Sequence, residues 1–235
     1  STLDRSSAAS DVYKRQVIRT TDIGPIALGH NGNIVNALAL RDETNLNAAE
    51  EAATTDSAVI ADLIAAAPGA TVVDRVRHVV PRLSGSFCLT IATPTQLLAV
   101  RDGMGSRPLS LGKSNGTWVI ASETCALDAI GARYELDILP GEIVVIDHDG
   151  LRSIHVELPQ RHATCAFEYI YFSRPDSVVE GINVYDARCR IGAELAREHP
   201  VEADVVIPVP DSGVPAALGY AREAELLYEL GIIRN

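Results

Sequence analysis

The spacing of apolar residues changes twice along the chain, and each change predicts a different kind of structure. After a short apolar strand, PIAL, the segment TTDSAVIADLIAAAPG has helical spacing, with Thr55 or Asp56 as its cap and Pro-Gly as its stop. TVVDRVRHVVPRL repeats that helical pattern. From Gly85 the pattern becomes that of short strands, SFCLTIAT, QLLAVRD, PLSLG and TWVIAS, then a helix, ETCALDAIG, and a hairpin around HDG. Helices followed by consecutive antiparallel strands predict a layered α+β domain.

The second change comes near PQRHATC, residues 159–165, where proline and polar residues interrupt the pattern. Beyond it the order is strand EYIYF, helix NVYDARCRIGAELAREH, strand ADVVIPVP, helix VPAALGYAREA and strand YELGII. This alternation predicts a parallel, doubly wound sheet. Residues 1–16 have no apolar periodicity, so we expect them to be disordered or foreign to the fold. The domains are therefore expected at 17–160 and 161–235.

Composition narrows the class of protein. The chain has 235 residues and a formal net charge of −11, which repels nucleic acid. No apolar run approaches the ~18 residues that a membrane span needs, and no secretory signal is evident, so we expect a cytoplasmic protein. The four cysteines contain no CxxC pair, which favours reduced thiols over disulfides or a self-contained zinc site. We read Cys88, Cys125 and Cys189 as small buried apolar residues.

The stretch GHNGNIVNA, residues 29–37, places polar and glycine residues beside an apolar strand end. Taken alone, this pattern is typical of a turn in which Asn33 caps a following helix, and His30 is read as structural. A second interpretation is chemical. The Asn31 side-chain amide and the Gly32 backbone can donate a pair of N–H groups to an oxyanion, and the missing Cβ of Gly32 would let a substrate approach the chain.

Several segments, in order and spacing, resemble the amidophosphoribosyltransferase family of class II glutamine amidotransferases. They are GPIALGHNGNIVNA, TTDSAVI, RDGMGSRPLSLG, ASETCALDAIG, LPGEIVVID, CAFEYIYFSRPDSVVEGINVYDAR and ADVVIPVPDSG, and the similarity covers roughly residues 17–235. The resemblance implies a partial N-terminal-nucleophile glutaminase domain of four αββα layers, followed by the start of an α/β type I phosphoribosyltransferase domain. It also implies the transfer of glutamine amide nitrogen to phosphoribosyl pyrophosphate, the first step of de novo purine biosynthesis.

The resemblance assigns roles to residues of the glutaminase part. Asn31 and Gly32 match the oxyanion hole, and Asp56 matches the aspartate that holds the α-ammonium of glutamine through a charge-assisted hydrogen bond. Without the family, Asp56 is a helix cap and Ser57 has no function. RDGMGSRPL is read as a structural loop with Arg101 and Asp102 paired internally, and Ser122 or Glu123 is read as serving a helix start.

In the second part, Asp211, Ser212 and Gly213 lie between a predicted strand and helix, where N–H groups and the helix dipole favour pyrophosphate. The simpler reading is a helix cap by Asp211 or Ser212. By resemblance, Ser212 lies near the magnesium ion of phosphoribosyl pyrophosphate. Cys165 matches the first ligand of a [4Fe–4S] cluster in those family members that carry one. The resemblance also implies a homo-oligomer.

Two expected family features have no match in this sequence. No N-terminal cysteine nucleophile is present, because the chain begins with Ser1 and no cysteine precedes Cys88. The longer phosphoribosyl-binding loop is also missing. We therefore expect an internal fragment that is inactive as given. The alternatives are another class II amidotransferase such as asparagine synthetase, whose SGGxDS-type loop is not found in PVPDSGVPA, and a non-catalytic glutaminase-like interaction domain.

Overall fold

The computed structural model describes residues 16–43, 55–158 and 161–233. The expectation for residues 1–16 falls on residues outside this range, except at Gln16, which begins a strand. The chain separates into two compact units. The first unit comprises Ser1–Leu111 and Leu136–Thr164, and the second comprises Gly112–Glu135 and Cys165–Asn235. Residues 112–135 therefore belong with the carboxyl-terminal part of the chain.

A six-stranded antiparallel sheet organises the first unit, in the order β1-β2-β3-β4-β8-β9. Apolar residues alternate along its strands, so that one face of the sheet packs in the hydrophobic core. The strands are β1 Gln16–Thr21, β2 Gly24–Ile34, β3 Gly85–Ala92, β4 Leu97–Arg101, β8 Glu142–Asp147 and β9 Gly150–His155. A second sheet has the order β6-β5-β7, with β5 Ser110–Ser114, β6 Thr117–Ala121 and β7 Arg133–Asp137.

The helices of the first unit bury their apolar faces in the same core as β2, β3 and β4. They are α1 Ala37–Glu43, α2 Asp56–Ala66 and α3 Val72–Val79, the last continued by a 3₁₀ turn, Val80–Arg82. Thr55 caps α2 by accepting a hydrogen bond from the Ala58 N–H, and Thr71 with Asp74 forms a capping box at α3. The predicted helices at these two segments are confirmed.

The prediction that Asn33 caps a helix is wrong, because β2 continues through HNGNI and α1 begins only at Ala37. The reason is close backbone packing between β2 and β3. A Cβ on Gly32 would lie 2.1 Å from the Ser86 carbonyl oxygen, and one on Gly85 would lie 2.4 Å from that of Asn33. Both glycines have positive φ, +146° and +129°, which other residues rarely adopt. The two glycines thus allow the pairing that extends the strand.

The segment EYIYF is a π-helix, Glu168–Phe172, rather than the predicted strand. Its glutamate is buried, whereas Tyr171 and Phe172 are exposed. Glu168 is buried and accepts a 2.6 Å hydrogen bond from the Ser173 hydroxyl. Arg188, also buried, donates to the carbonyl oxygens of Tyr169 at 2.6 Å and Ser173 at 2.8 Å. These bonds hold the turn, and no strand partner is needed.

The rest of the second unit follows the predicted alternation of strands and helices, with strands that are shorter than predicted. Its elements are α4 Thr124–Ala129, β10 Val178–Val179, β11 Ile182–Asn183, α5 Val184–Glu198, β12 Val205–Val206, α6 Val214–Glu223 and β13 Leu227–Tyr228. β12 and β13 pair in parallel across α6, as a βαβ unit requires. No helix among the described residues is both long and apolar enough to cross a membrane.

The two long helices, α5 and α6, meet backbone to backbone. A Cβ on Gly192 would lie 1.8 Å from the Ala216 carbonyl oxygen, and one on Gly219 would lie 2.0 Å from that of Cys189. Both gaps are too small for any side chain, so these glycines set the distance between the helices.

We expect Gly192→Ala to destabilise the second unit although alanine is the better helix former by about 1 kcal/mol. Overpacking of this kind costs about 1–3 kcal/mol, which should lower the midpoint of thermal unfolding measured by circular dichroism. Ile191→Ala, at an exposed position of the same helix, is the control. A Gly192→Ala protein as stable as the control would contradict the close packing.

Candidate functional site

Among the residues that the structure describes, β1 pairs with only the first part of β2. β1 pairs with β2 only as far as Gly29, opposite Gln16. Further along, Ile34 N–H points away from β3 and donates to a carboxylate oxygen of Asp56 at 3.3 Å, whereas Val35 N–H donates to Ser84 of the β3 side. Strand alternation therefore directs Gly32 N–H to the same edge as Ile34 N–H, about 7 Å away.

A buried aspartate on the other side of β3 supports this orientation. Phe87, the register partner of Gly32, donates its N–H to the Asp102 carboxylate at 3.1 Å and accepts from Asp102 N–H at 2.9 Å. Arg101 donates to three carbonyl oxygens of the same region, and both side chains are buried. Because the backbone groups of Phe87 are engaged there, Gly32 and Phe87 form a non-hydrogen-bonded pair. RDGMGSRPL thus acts as a structural loop.

Asn31 precedes Gly32 in β2. Ile26, Leu28 and Ile34 face the core, so Asn31 faces the opposite side of the sheet, where it is exposed. One part of the sequence reasoning needs correction. The space beside Gly32 is filled by β3 backbone, so its missing Cβ serves strand packing and not the approach of a substrate.

Asp56 is the first residue of α2 and meets the same edge of β2. It is not the cap, since Thr55 has that role. Besides Ile34 N–H, its carboxylate accepts the Ser57 N–H at 2.8 Å. A carboxylate has about four lone-pair sites, so two such bonds leave capacity for a cation. The structure therefore brings Asp56 to the strand that carries Asn31 and Gly32.

His30 and Ser57, which the sequence left without function, complete this cluster. The His30 side chain is 1% exposed, and its Nδ1 lies 3.0 Å from Ser57 Oγ and 3.7 Å from an Asp56 oxygen. Burial lowers the pKa of His30, and the nearby Asp56 charge opposes that effect only in part. Among the described residues, His30 Nε2 has no hydrogen-bond partner. The spacing of residues along the sequence could not show that Asp56 and Ser57 lie next to His30.

In the second unit, Asp211 and Ser212 line a cavity of about 520 Å³ together with Arg174, Arg188 and the Tyr171–Ser173 segment. Gly213, which has no side chain, is the N-cap residue of α6. The alternative reading of Asp211 or Ser212 as a cap is therefore wrong. A cis peptide bond joins Pro210 to Asp211.

Cys165 is a free, partly buried thiol at the start of this unit. Within residues 16–43, 55–158 and 161–233, three potential metal ligands come together only at Asp147, His148 and Asp149, in the exposed β8–β9 turn. The described residues thus offer Cys165 as one thiolate and do not bring three others to it.

Sequence reasoning also missed Glu123, which it placed at a helix start. Glu123 is the N-cap residue of α4, but its carboxylate accepts from Arg174 N–H at 2.8 Å and from the Ser177 hydroxyl at 2.7 Å. Thr124 accepts from Val178 N–H at 2.8 Å. These contacts fix the FSRPDS segment, 172–177, beside the cavity that Asp211 lines.

Comparison with known proteins adds family evidence. The sequence model described as "Glutamine amidotransferase domain" matches residues 5–129. The chain is 44% identical to the amidophosphoribosyltransferase of Rhizobium etli, over 98% of this chain and 48% of the relative. It is 48% identical to that of Mycobacterium tuberculosis, over 93% and 43%. The chain spans about half the length of the curated relatives it matches.

A solved structure gives the same likeness in three dimensions. The glutamine phosphoribosylpyrophosphate amidotransferase of Bacillus subtilis, complexed with ADP and GMP, superimposes with a TM-score of 0.88 at 41% identity, over 93% of this chain and 48% of that one. The predicted combination of a glutaminase-type sandwich and the start of a phosphoribosyltransferase domain is thereby confirmed.

We expect His30 to make stability depend on pH. Its folded pKa is lowered from the ordinary value of 6.5, so the unfolded chain binds more protons below that pH. Stability is therefore retained above pH 6.5 and decreases as the pH falls through 6.5 toward the folded pKa, by up to about 1.4 kcal/mol per pH unit.

Urea unfolding at a series of pH values measures this dependence. His30→Asn should flatten the slope between pH 7 and 5. An unaltered slope in His30→Asn would show that this histidine is protonated as easily in the folded state as in the unfolded state.

Proposed function

Because this chain belongs to the glutamine amidotransferase domain family, we propose that it takes the amide nitrogen of glutamine and transfers it to phosphoribosyl pyrophosphate, giving phosphoribosylamine, the first step of de novo purine biosynthesis. The observation that carries the proposal is at β2, where Asp56 accepts from Ile34 N–H and strand alternation directs Gly32 N–H, next to Asn31 in sequence, to the same edge. The names of the curated relatives and of the Bacillus subtilis structure support the same activity.

In the glutaminase step, the side-chain carbonyl of glutamine becomes a tetrahedral oxyanion. We assign Gly32 N–H and the Asn31 side-chain amide as its two donors, since these consecutive residues of β2 match the oxyanion hole by resemblance. Such donors are worth about 3–4 kcal/mol each when held in place beforehand. Asp56 binds the α-ammonium, which selects the free amino acid. No described residue is assigned as the nucleophile.

In the transfer step, we assign the pyrophosphate to Asp211, Ser212 and Gly213. The polar cavity of about 520 Å³ that Asp211 and Ser212 line together with Arg174 and Arg188 supports this assignment, because guanidinium groups favour an anion. Ser212 and Asp211 offer the oxygen donors that Mg²⁺ prefers. When bound, the ion would neutralise pyrophosphate charge.

Three finer features of the proposal rest on resemblance. We propose Cys165 as one ligand of a [4Fe–4S] cluster, but the described residues alone do not fit that cluster, and no step depends on it. We also propose a homo-oligomer that works in the cytoplasm, on glutamine and phosphoribosyl pyrophosphate and without nucleic acid.

The oxyanion assignment predicts that Asn31→Ala, in the protein expressed from its complete reading frame, lowers kcat for glutamine hydrolysis about 10²–10³-fold. Synthesis driven by free ammonia should change far less, because the donors serve only amide hydrolysis. Asn33→Ala, at the next exposed asparagine on the same strand face, is the matched control. Equal losses in the two assays would indicate a folding role for Asn31.

The pyrophosphate assignment predicts that Ser212→Ala weakens the binding of phosphoribosyl pyrophosphate and its dependence on magnesium, measured by calorimetry. One hydroxyl contact of this kind contributes about 1–2 kcal/mol. Glutamine hydrolysis should stay unchanged. Since Ser212 does not cap α6, the melting temperature should also stay the same. Normal binding in a variant that melts lower would reject the ligand role.

A further inference from the structure

We infer that Ser57 and His30 form a positioning pair that holds the Asp56 carboxylate for the α-ammonium of the substrate, an inference that rests on the proposed glutaminase function. Neither residue contacts the substrate in this arrangement. Each acts through Asp56, so the pair determines selectivity for an amide substrate that carries an amino group.

Ser57 lies between the other two side chains. Its backbone N–H donates to Asp56 Oδ1 at 2.8 Å, and its hydroxyl lies 3.5 Å from the same oxygen. On its other side, the hydroxyl is 3.0 Å from His30 Nδ1. The hydroxyl is therefore placed to accept from one group and donate to the other.

The carboxylate is held from two elements at once. Oδ1 is fixed by Ser57 on α2, and Oδ2 is fixed by Ile34 N–H on β2. The Asp56 side chain is nevertheless 23% exposed. An anion anchored on its inner side and open on its outer side can receive a cation without reorienting, which reduces the entropy lost on binding.

The buried histidine determines the direction of the hydrogen bonds. If Nδ1 carries the proton, it donates to Ser57 Oγ and leaves the Ser57 hydroxyl proton for Asp56. The other nitrogen, Nε2, then presents only a lone pair to a region where no described group bonds to it. An orphaned acceptor is tolerated better than an orphaned N–H, so we assign the Nδ1–H tautomer. Burial, which lowers the His30 pKa, keeps the ring neutral.

The test compares two substrates in the protein expressed from its complete reading frame. Glutaramate has the amide and carboxylate of glutamine but lacks its α-amino group. Ser57→Ala should raise KM for glutamine about tenfold, with kcat within twofold, since hydrogen bonds to charged groups are the stronger class. The kcat/KM for glutaramate should stay the same. Ser84→Ala, an exposed serine of the same unit, is the control.

A second pair of variants separates positioning from packing. His30→Asn keeps a donor near the position of Nδ1 and should retain most of the preference for glutamine over glutaramate. His30→Leu removes the donor and should lose it. Equal losses for both substrates in Ser57→Ala and His30→Leu would overturn the inference in favour of a structural role, and no loss for either would overturn it outright.

Nitrogen NMR of the imidazole tests the arrangement without any turnover. We expect the Nδ1–H tautomer, and an Nε2–H tautomer would overturn the inference. A wild-type protein that hydrolyses neither substrate would count against the proposed function instead, and the tautomer would then decide the positioning question by itself.

Discussion

The contact on which the candidate site depends is the backbone packing of β2 against β3 at Gly32 and Gly85. Neither position has room for a side chain, so the two strands meet more closely than ordinary residues allow. This closeness continues the pairing to Ile34 and fixes its register. Register in turn decides which side chains face which side, because a shift of one residue would exchange them. The orientations of His30, Asn31 and the Gly32 amide are all set by it.

Apolar periodicity was sufficient to predict the elements with strong amphipathic patterns. The helices that begin at Asp56, Val72, Val184 and Val214 are present where the spacing indicated, as is the β8–β9 hairpin. Apolar periodicity gave a wrong prediction where side-chain burial does not determine the backbone conformation. HNGNI was read as a turn because polar residues and glycines are typical of turns, but its conformation follows from a partner strand far away in sequence.

The residues of the candidate site also differ in whether the sequence alone could predict their roles. The similarity of short motifs to a family singled out Asn31, Gly32 and Asp56, and the structure has Asn31 and Gly32 on β2 and Asp56 hydrogen-bonded to the same strand at Ile34. The roles of Ser57 and Glu123 were not predicted, because each depends on a partner that is distant in sequence. The partner of Ser57 is His30, and that of Glu123 is the Arg174–Ser177 segment. In sequence, a residue at the start of a helix looks the same whether its side chain caps that helix or binds another segment.

In the π-helix at Glu168–Phe172, different residues determine the backbone conformation and the exposed surface. Its backbone is held by buried polar groups of Glu168, Ser173 and Arg188, while Phe167, Tyr171 and Phe172 are exposed. The conformation is therefore specified by three side chains that are almost fully buried. The course of the backbone and the chemistry of the outer face are thus encoded by separate residues, so a substitution at Tyr171 or Phe172 would change the lining of the cavity beside Asp211 while the turn beneath it stays fixed.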